Sequence, residues 1–389
     1  MREDFAKEWA FEPGIRFLNH GSFGACPRVV LDHQSELRAR LEAQPVDFFL
    51  RRLPDLLDAA REELARFLGA DPEGLAFVPN ATHGVNTVLG SLRFEPGDEL
   101  LVTDHEYNAC RNALDVCAER WGARVVVAHL PFRGATPDSL VERILERVTA
   151  RTRLALIDHV TSPTALIVPI ERLVPALASR GVDTLVDGAH APGMLPLALE
   201  QLGAAYYTGN CHKWLCAPKG AAFLYVRADR RERTRPLAIS HGANAPTAQR
   251  SRFRNEFDWI GTVDPTAWLS VPVALRFLES RLPGGFDALR RHNRALVLRG
   301  RASLCRALAL EPPVPDELIG SMVSLPLPDD AARASSPLAC DAEQDRIWRE
   351  HRIEVPITAW PAPPARLLRI SAQLYNEPAD YDALARALS

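Results

Sequence analysis

Between residues 75 and 226 the chain alternates short unbroken apolar runs with stretches of helical spacing. The runs are 75–79 (LAFVP), 99–103 (ELLVT), 124–130 (RVVVAHL), 154–160 (LALIDHV), 183–187 (DTLVD), 205–208 (AYYT) and 221–226 (AAFLYV). A strand exposed on one face alternates apolar with polar residues, whereas a continuous apolar strand is buried on both. Runs of the second kind, separated by helices, predict an α/β fold: a mostly parallel sheet covered on both faces. Upstream, Leu53, Leu56, Leu57, Leu64, Phe67 and Leu68 recur at helical spacing and Gly69 supplies a stop. That pattern predicts a helix over 53–68. A second helix is expected over 83–92. From about residue 266 the pattern changes to long Arg/Leu-rich helices (266–310) and then short strands (321–325, 367–371), which read as a smaller α+β domain. Segment 17–27 (FLNHGSFGACP) reads as a loop within an irregular arm, and the Pro- and Ala-rich stretch 326–340 as a surface loop. The expected organisation is an N-terminal arm (1–30), a large domain (31–265) and a small C-terminal domain (266–389).

Composition narrows the class. A chain of 389 residues can bury two cores, and 47% apolar with 24% charged residues is ordinary for a globular protein. A net charge of -3 without any long basic run gives no reason to expect a nucleic-acid partner. No stretch of 18 apolar residues suggests a membrane span, and the charged start MREDFAKEW lacks the apolar core of a signal peptide. Seven scattered cysteines (26, 110, 117, 211, 216, 305, 340) read as reduced thiols in a cytoplasmic protein. Cys211 and Cys216 have no matching His/Cys cluster, so small core residues are expected there and no metal. The most telling count is lysine. Only Lys7, Lys213 and Lys219 are present, and the other 43 of the 46 basic residues are Arg. Chemistry that needs an amine nucleophile has almost no choice of residue, because a guanidinium stays protonated.

In open parallel sheets ligands sit beyond the carboxyl ends of the strands. Here those ends run into Asn80-Ala81-Thr82-His83-Gly84, Asp104-His105, Thr161-Ser162, Asp187-Gly188-Ala189-His190 and Gly209-Asn210-Cys211-His212-Lys213. The first can cradle a phosphate at a helix start, or be a plain N-cap on Asn80 or Thr82. Asp187 can hold a pyridinium nitrogen protonated, or cap the next turn. His105 and His190 offer faces to a flat ring, although a lone His at a strand end is more often structural. Lys213, between His212 and Trp214, sits where apolar and cationic surroundings lower an amine pKa and make it nucleophilic. Lys219, in Ala-Pro-Lys-Gly, reads as a loop residue.

The ordered set resembles the class V aminotransferases, enzymes of the aspartate aminotransferase fold type (fold type I) that use pyridoxal 5′-phosphate (PLP). LNHGSFG at 18–24, NATHGVN at 80–86, DHEYNA at 104–109, VTSPTA at 160–165, VDGAHAPG at 186–193, CHKWLCAPKG at 211–220, WIGTVDPTAW at 259–268 and LRISAQLYN at 368–376 are similar to the isopenicillin N epimerase-like branch. Ala165 stands where family members carry Gly, and Ile260 where they carry Thr. The resemblance implies a PLP Schiff base on Lys213, with Ala81 and Thr82 on the phosphate, helped by Asn210 and His212. It implies His105 stacked on the ring, Asp187 at the ring nitrogen, and His190 with Ser162 at the ring-oxygen edge. Arg369 would grip a substrate carboxylate, and Asn19, His20 and Ser22 either line the substrate side or simply form a loop. Gly261-Thr262 would reach the phosphate of a second subunit, which implies a homodimer with shared active sites. Catalysis would rest on Lys213, Asp187 and His105, acting at the α-carbon of an amino-acid-type substrate.

The outcome that the resemblance implies at that carbon is epimerisation, with C–S lysis or transamination as alternatives. A cysteine desulfurase needs a nucleophilic Cys shortly before the substrate Arg, and 341–369 contains none. An epimerase needs an acid on the face opposite Lys213, and the sequence assigns no residue to it. A silent fold relative acting as a binding protein would have no use for Lys213, Asp187 and Arg369 together.

Overall fold

The seven apolar runs form one sheet in the computed structural model, which describes residues 5–330 and 340–389. Across the sheet the strands are Leu75–Val78, Ala222–Val226, Tyr206–Asn210, Asp183–Asp187, Thr152–Asp158, Glu99–Thr103 and Arg124–Ala128. Neighbours run parallel except at Ala222–Val226, which is antiparallel to both of its partners. Hydrophobicity does not encode direction, so only the structure shows this reversal. Two reversals bring Leu75–Val78 back into the common direction, and all five predicted strand ends share one edge.

Two-sided burial is visible in the strands themselves. Leu100, Val102, Leu154, Leu156 and Leu185 pack into one core with helices Ala81–Ser91 and Asn108–Trp121. The residues between them, Leu101, Ala155, Ile157 and Val186, pack into the opposite core with helices Leu53–Leu68 and Ile170–Ala178. This is the period-two alternation of a strand, with both faces apolar. The helix expected over 53–68 spans those residues and ends on Gly69, whose left-handed φ of 58° closes the last turn.

The 266–310 region forms helices Thr266–Leu269, Val271–Glu279 and Gly285–Ala307. Beyond it, strands Met322–Leu327, Ile357–Ala359 and Arg366–Ser371 make an antiparallel sheet with Arg366–Ser371 in the middle. The loop expected from 326 therefore starts later: Pro326 and Leu327 pair with Leu367 and Arg366. Pro326 is tolerated because its strand is an edge strand. Residues 331–339 of that stretch lie outside the described residues.

The 17–27 loop is also corrected. Arg16–Phe17 pairs in parallel with Ile353–Glu354, and His20–Phe23 is a helical turn. Leu18 donates to the Glu354 carbonyl and accepts from the Ser371 N–H. The partners lie more than 300 residues downstream, beyond the reach of local pattern. No helix among the described residues is long and apolar enough to cross a membrane.

Candidate active site

Lys213 sits in the turn that follows strand Tyr206–Asn210, with Nζ 3.1 Å from His190 Nε2. The other nitrogen of that imidazole, Nδ1, accepts from the Trp214 indole N–H at 3.4 Å. An indole only donates, so the proton of a neutral His190 belongs on Nε2, facing the lysine. Burial, with the charge on Lys213 next, holds His190 well below its ordinary pKa and keeps it neutral. Nε2–H can therefore donate to the Lys213 amine in its neutral form. Burial and then the charge of Arg369 draw Lys213 down to about 8, against the opposing pull of Asp187.

The backbone of this turn is held from the arm. His20 is fully buried, and desolvation takes it to about 3, so it is neutral. Its Nε2–H donates to the Lys213 carbonyl at 2.9 Å while Nδ1 accepts from the Tyr375 hydroxyl at 2.7 Å. His20 thus supports the lysine from behind. Gly24 lets the arm lie this close. Its φ is 67°, and a Cβ there would stand 2.0 Å from the His212 carbonyl oxygen and 2.9 Å from the Lys213 Cα.

Asp187 is buried at the end of its strand. One oxygen accepts the Ala189 N–H at 2.9 Å and the other the Cys110 thiol hydrogen at 3.1 Å. Burial raises its carboxyl above the usual range, and these donors and Lys213 pull the other way. A cation placed against it would meet an electrostatic demand the protein leaves partly unmet.

His105 is fully buried, with Nδ1 2.7 Å from the Thr164 hydroxyl, Nε2 3.2 Å from the Leu130 carbonyl and its ring edge-on to Trp360. The aromatic residue that this loop leaves open is Tyr107, 46% exposed, immediately before helix Asn108–Trp121. One turn later on that helix, Cys110 contacts Asp187. Burial raises the Tyr107 phenol, Cys110 and Asp187 raise it further, and Arg369 lowers it. Sequence reasoning missed Tyr107 and Cys110. The only available signal was Tyr107's place directly before a helix at a strand's carboxyl end.

At the helix Ala81–Ser91, Asn80 is indeed the cap, accepting the His83 N–H at 2.8 Å. The Ala81 N–H is committed to Asn210 Oδ1 at 2.8 Å. Thr82 keeps its N–H and hydroxyl without a partner among the described residues, pointing to it as the open anion donor at this helix start. His212 bonds the Ala221 carbonyl through Nδ1 at 2.9 Å, and burial followed by the Lys213 charge lowers it to about 4. A phosphate dianion beside it would act in the opposite sense.

The predicted substrate residues meet in one chain of hydrogen bonds. Arg369 Nη1 donates to the Ser162 carbonyl (2.6 Å) and hydroxyl (3.1 Å), and Nη2 donates to the Ser22 hydroxyl (3.0 Å). Ser22 in turn donates to Asn19, whose amide bonds Glu354 at 3.3 Å. Arg369 is buried, and among the described residues no carboxylate pairs with it. Ala165, at the substitution for Gly, keeps the left-handed conformation with φ 60°. Thr262 is exposed beside Gly261 (φ 109°), and among the described residues it bonds none of these groups.

These residues fit pyridoxal 5′-phosphate. A depressed lysine amine would suit the aldehyde, a buried carboxylate the ring nitrogen, and an open helix start the phosphate. Their placement on the carboxyl edge of this sheet defines a PLP-dependent enzyme of fold type I. The aminotransferase class-V family model matches residues 24–384, and the chain belongs to that family. It is 37% identical over 388 residues to an isopenicillin N epimerase of Streptomyces clavuligerus, covering 97% of this chain and 95% of the relative. It is 31% identical to a probable chloroplastic L-cysteine desulfhydrase of Arabidopsis thaliana, covering 97% and 83%. A cysteine desulfurase from Escherichia coli shares the fold with a TM-score of 0.79 at 22% identity, covering 100% and 97%.

Proposed function

We propose that this PLP enzyme epimerises the α-carbon of an amino-acid-type substrate, as its isopenicillin N epimerase relatives are named for doing. One observation carries the reading. Two proton-bearing side chains, Lys213 and Tyr107, share Asp187 and Arg369 as electrostatic neighbours. They approach from strand ends on opposite sides of the Asp187 strand. Inverting a carbon needs a base on one face and an acid on the other.

PLP supplies an electron sink at its ring. The chain supplies the rest. Arg369 clamps the carboxylate, Asp187 holds the ring nitrogen, and Thr82, Asn210 and His212 form the phosphate end. Lys213 Nζ takes the α-proton, and the Tyr107 hydroxyl delivers one from the other side. The raised phenol stays protonated at neutral pH, as a donor must. His105 holds the loop that carries Tyr107, and His190 with Ser162 frames the ring-oxygen edge.

The test is incubation with isopenicillin N and with single L- and D-amino acids in D₂O, following α-deuterium and chirality. Interconversion of enantiomers supports epimerisation. Release of sulfide and pyruvate from L-cysteine without interconversion would replace it with C–S lysis, the reading that the desulfhydrase relatives favour. Tyr107→Phe should keep α-deuterium exchange for one enantiomer and lose interconversion.

Arg369→Ala should raise KM for carboxylate-bearing substrates by about 2–4 kcal/mol of charge-assisted binding, roughly 10²-fold, with kcat much less affected. An equal loss for amide analogues would refute the clamp.

We also propose a homodimer, in which Gly261 and Thr262 of one subunit complete the phosphate site of the other. The exposure of Thr262 beside the partly exposed Gly261 and Val263 supports it, and two-fold dimers are the commonest assembly. Mixing Lys213→Ala with a Thr262→Trp variant should restore activity in hybrid dimers, and no recovery on subunit exchange would count against shared sites. All seven cysteines are free, which supports a reducing cytoplasmic setting.

A further inference from the structure

Beside Asp187 lies a group that the chemistry above leaves unused. Glu106, in the loop after strand Glu99–Thr103, is 9% exposed, and neither of its carboxyl oxygens meets a donor. One of them, the Cys110 sulfur and an Asp187 oxygen lie within 4.8 Å of one another. Asp158 stands opposite Asp187 on the neighbouring strand, is also buried, and has one oxygen without a donor. Three carboxyl groups from three segments therefore share one interior pocket.

The groups facing them are Cys110 and Tyr107 from the helix start and Lys213 from the turn beyond strand Tyr206–Asn210. Only Lys213 can carry positive charge. Three buried carboxylates would cost several kcal/mol per ion beyond what one amine offsets. A buried acid in that position takes up a proton instead. Burial, followed by the charges of Asp158 and Asp187, pushes Glu106 well above the usual carboxylate range. Burial and then the charge of Asp187 raise Asp158 in the same way, while Lys213 draws it back down. Two carboxylates cannot bond each other, but a carboxylic acid and a carboxylate can.

We propose that Glu106 is a neutral carboxylic acid that donates its O–H to Asp158 and thereby keeps Asp187 ionised for the cofactor's ring nitrogen. The inference rests on the reading of Asp187 as the ring-nitrogen partner. An ionised Glu106 would repel the charge on Asp187 and drive a proton onto it, and a protonated Asp187 cannot hold the ring nitrogen charged. Glu106 is accordingly a positioning residue, acting through Asp158 and Asp187.

Infrared difference spectra and pH titrations of the cofactor's visible band, on holoenzyme, test this. Wild type minus Glu106→Gln at neutral pH should show a protonated-carboxyl carbonyl band, because only the wild type has that acid. Glu106→Gln should titrate with the wild type, since one neutral donor replaces another. Glu106→Ala should shift the titration by about one pH unit or more, the scale of a lost neighbouring hydrogen bond or charge. The proposal is overturned if the protonated-carboxyl band is absent, or if Gln shifts the titration as far as Ala. If Glu106→Ala does not hold cofactor, the Gln variant and the infrared band decide alone. Asp187→Asn in the same titration isolates the underlying reading: an unmoved curve there removes the role of Asp187, whatever Glu106 does.

Discussion

Lys213→Ala is expected to bind PLP without any borohydride-stable attachment and to lose turnover by roughly 10²–10⁴-fold for the missing base alone. The chain has two other lysines, Lys7 and Lys219, so peptide mass mapping of the reduced wild-type enzyme gives an unambiguous answer. A reduced pyridoxyl group retained in the Ala variant would sink the assignment. The same amine sets a pH dependence. Only the neutral form attacks an aldehyde, and burial with Arg369 puts its midpoint at about 8. Reloading of apoenzyme with PLP should therefore accelerate as pH rises through about 8 and level off above it. A rate still climbing towards the ordinary lysine range would show that the pocket does not depress the amine.

Asp187→Ala is expected to retain some cofactor and to lose about three orders of magnitude in turnover, the scale of removing a preorganised electrostatic partner from a buried site. The carboxylate lies at the end of its strand, held by the Ala189 N–H and the Cys110 thiol, so it is oriented before any ligand arrives. On the proposed role, the variant would leave the ring nitrogen without its carboxylate partner, and charge developing at the α-carbon would be poorly dispersed. The phosphate end remains, which is why binding should survive. Near-normal kcat in this variant would refute the role. Asp187→Asn should behave like Ala in kcat, because an amide keeps the shape and loses the charge.

Many of the candidate residues were legible because a mostly parallel sheet gathers its strand ends on one edge. Seven apolar runs separated by helices predicted a mostly parallel sheet, and Thr82, Asp187 and Lys213 were named as candidates from their place after such runs and their residue type; the structure shows those five ends on one edge. Lysine scarcity singled out Lys213 without any structure. Tyr107, Glu106 and Cys110 could not be found so easily. They follow the same strand as His105, and a linear reading cannot say which member of His105-Glu106-Tyr107 turns inward. Burial decides it: His105 is tied to Thr164 and Leu130, Glu106 is folded beneath Asp187, and Tyr107 is left open.

What the sequence by itself determined is the layer architecture, because continuous apolar strands must be covered on both faces, and the chemical inventory at the strand ends. The tertiary structure decided strand direction at Ala222–Val226, the strand at Arg16–Phe17, and the proton positions around Lys213. Each depends on a partner remote in sequence: Asn210 paired to Ala222, Phe17 to Glu354, and His190 oriented by Trp214. Local pattern reports whether a residue is apolar and how often such residues recur. Which backbone a strand pairs with, and which nitrogen of a histidine carries the proton, are set by hydrogen bonds that exist only once the chain has closed on itself.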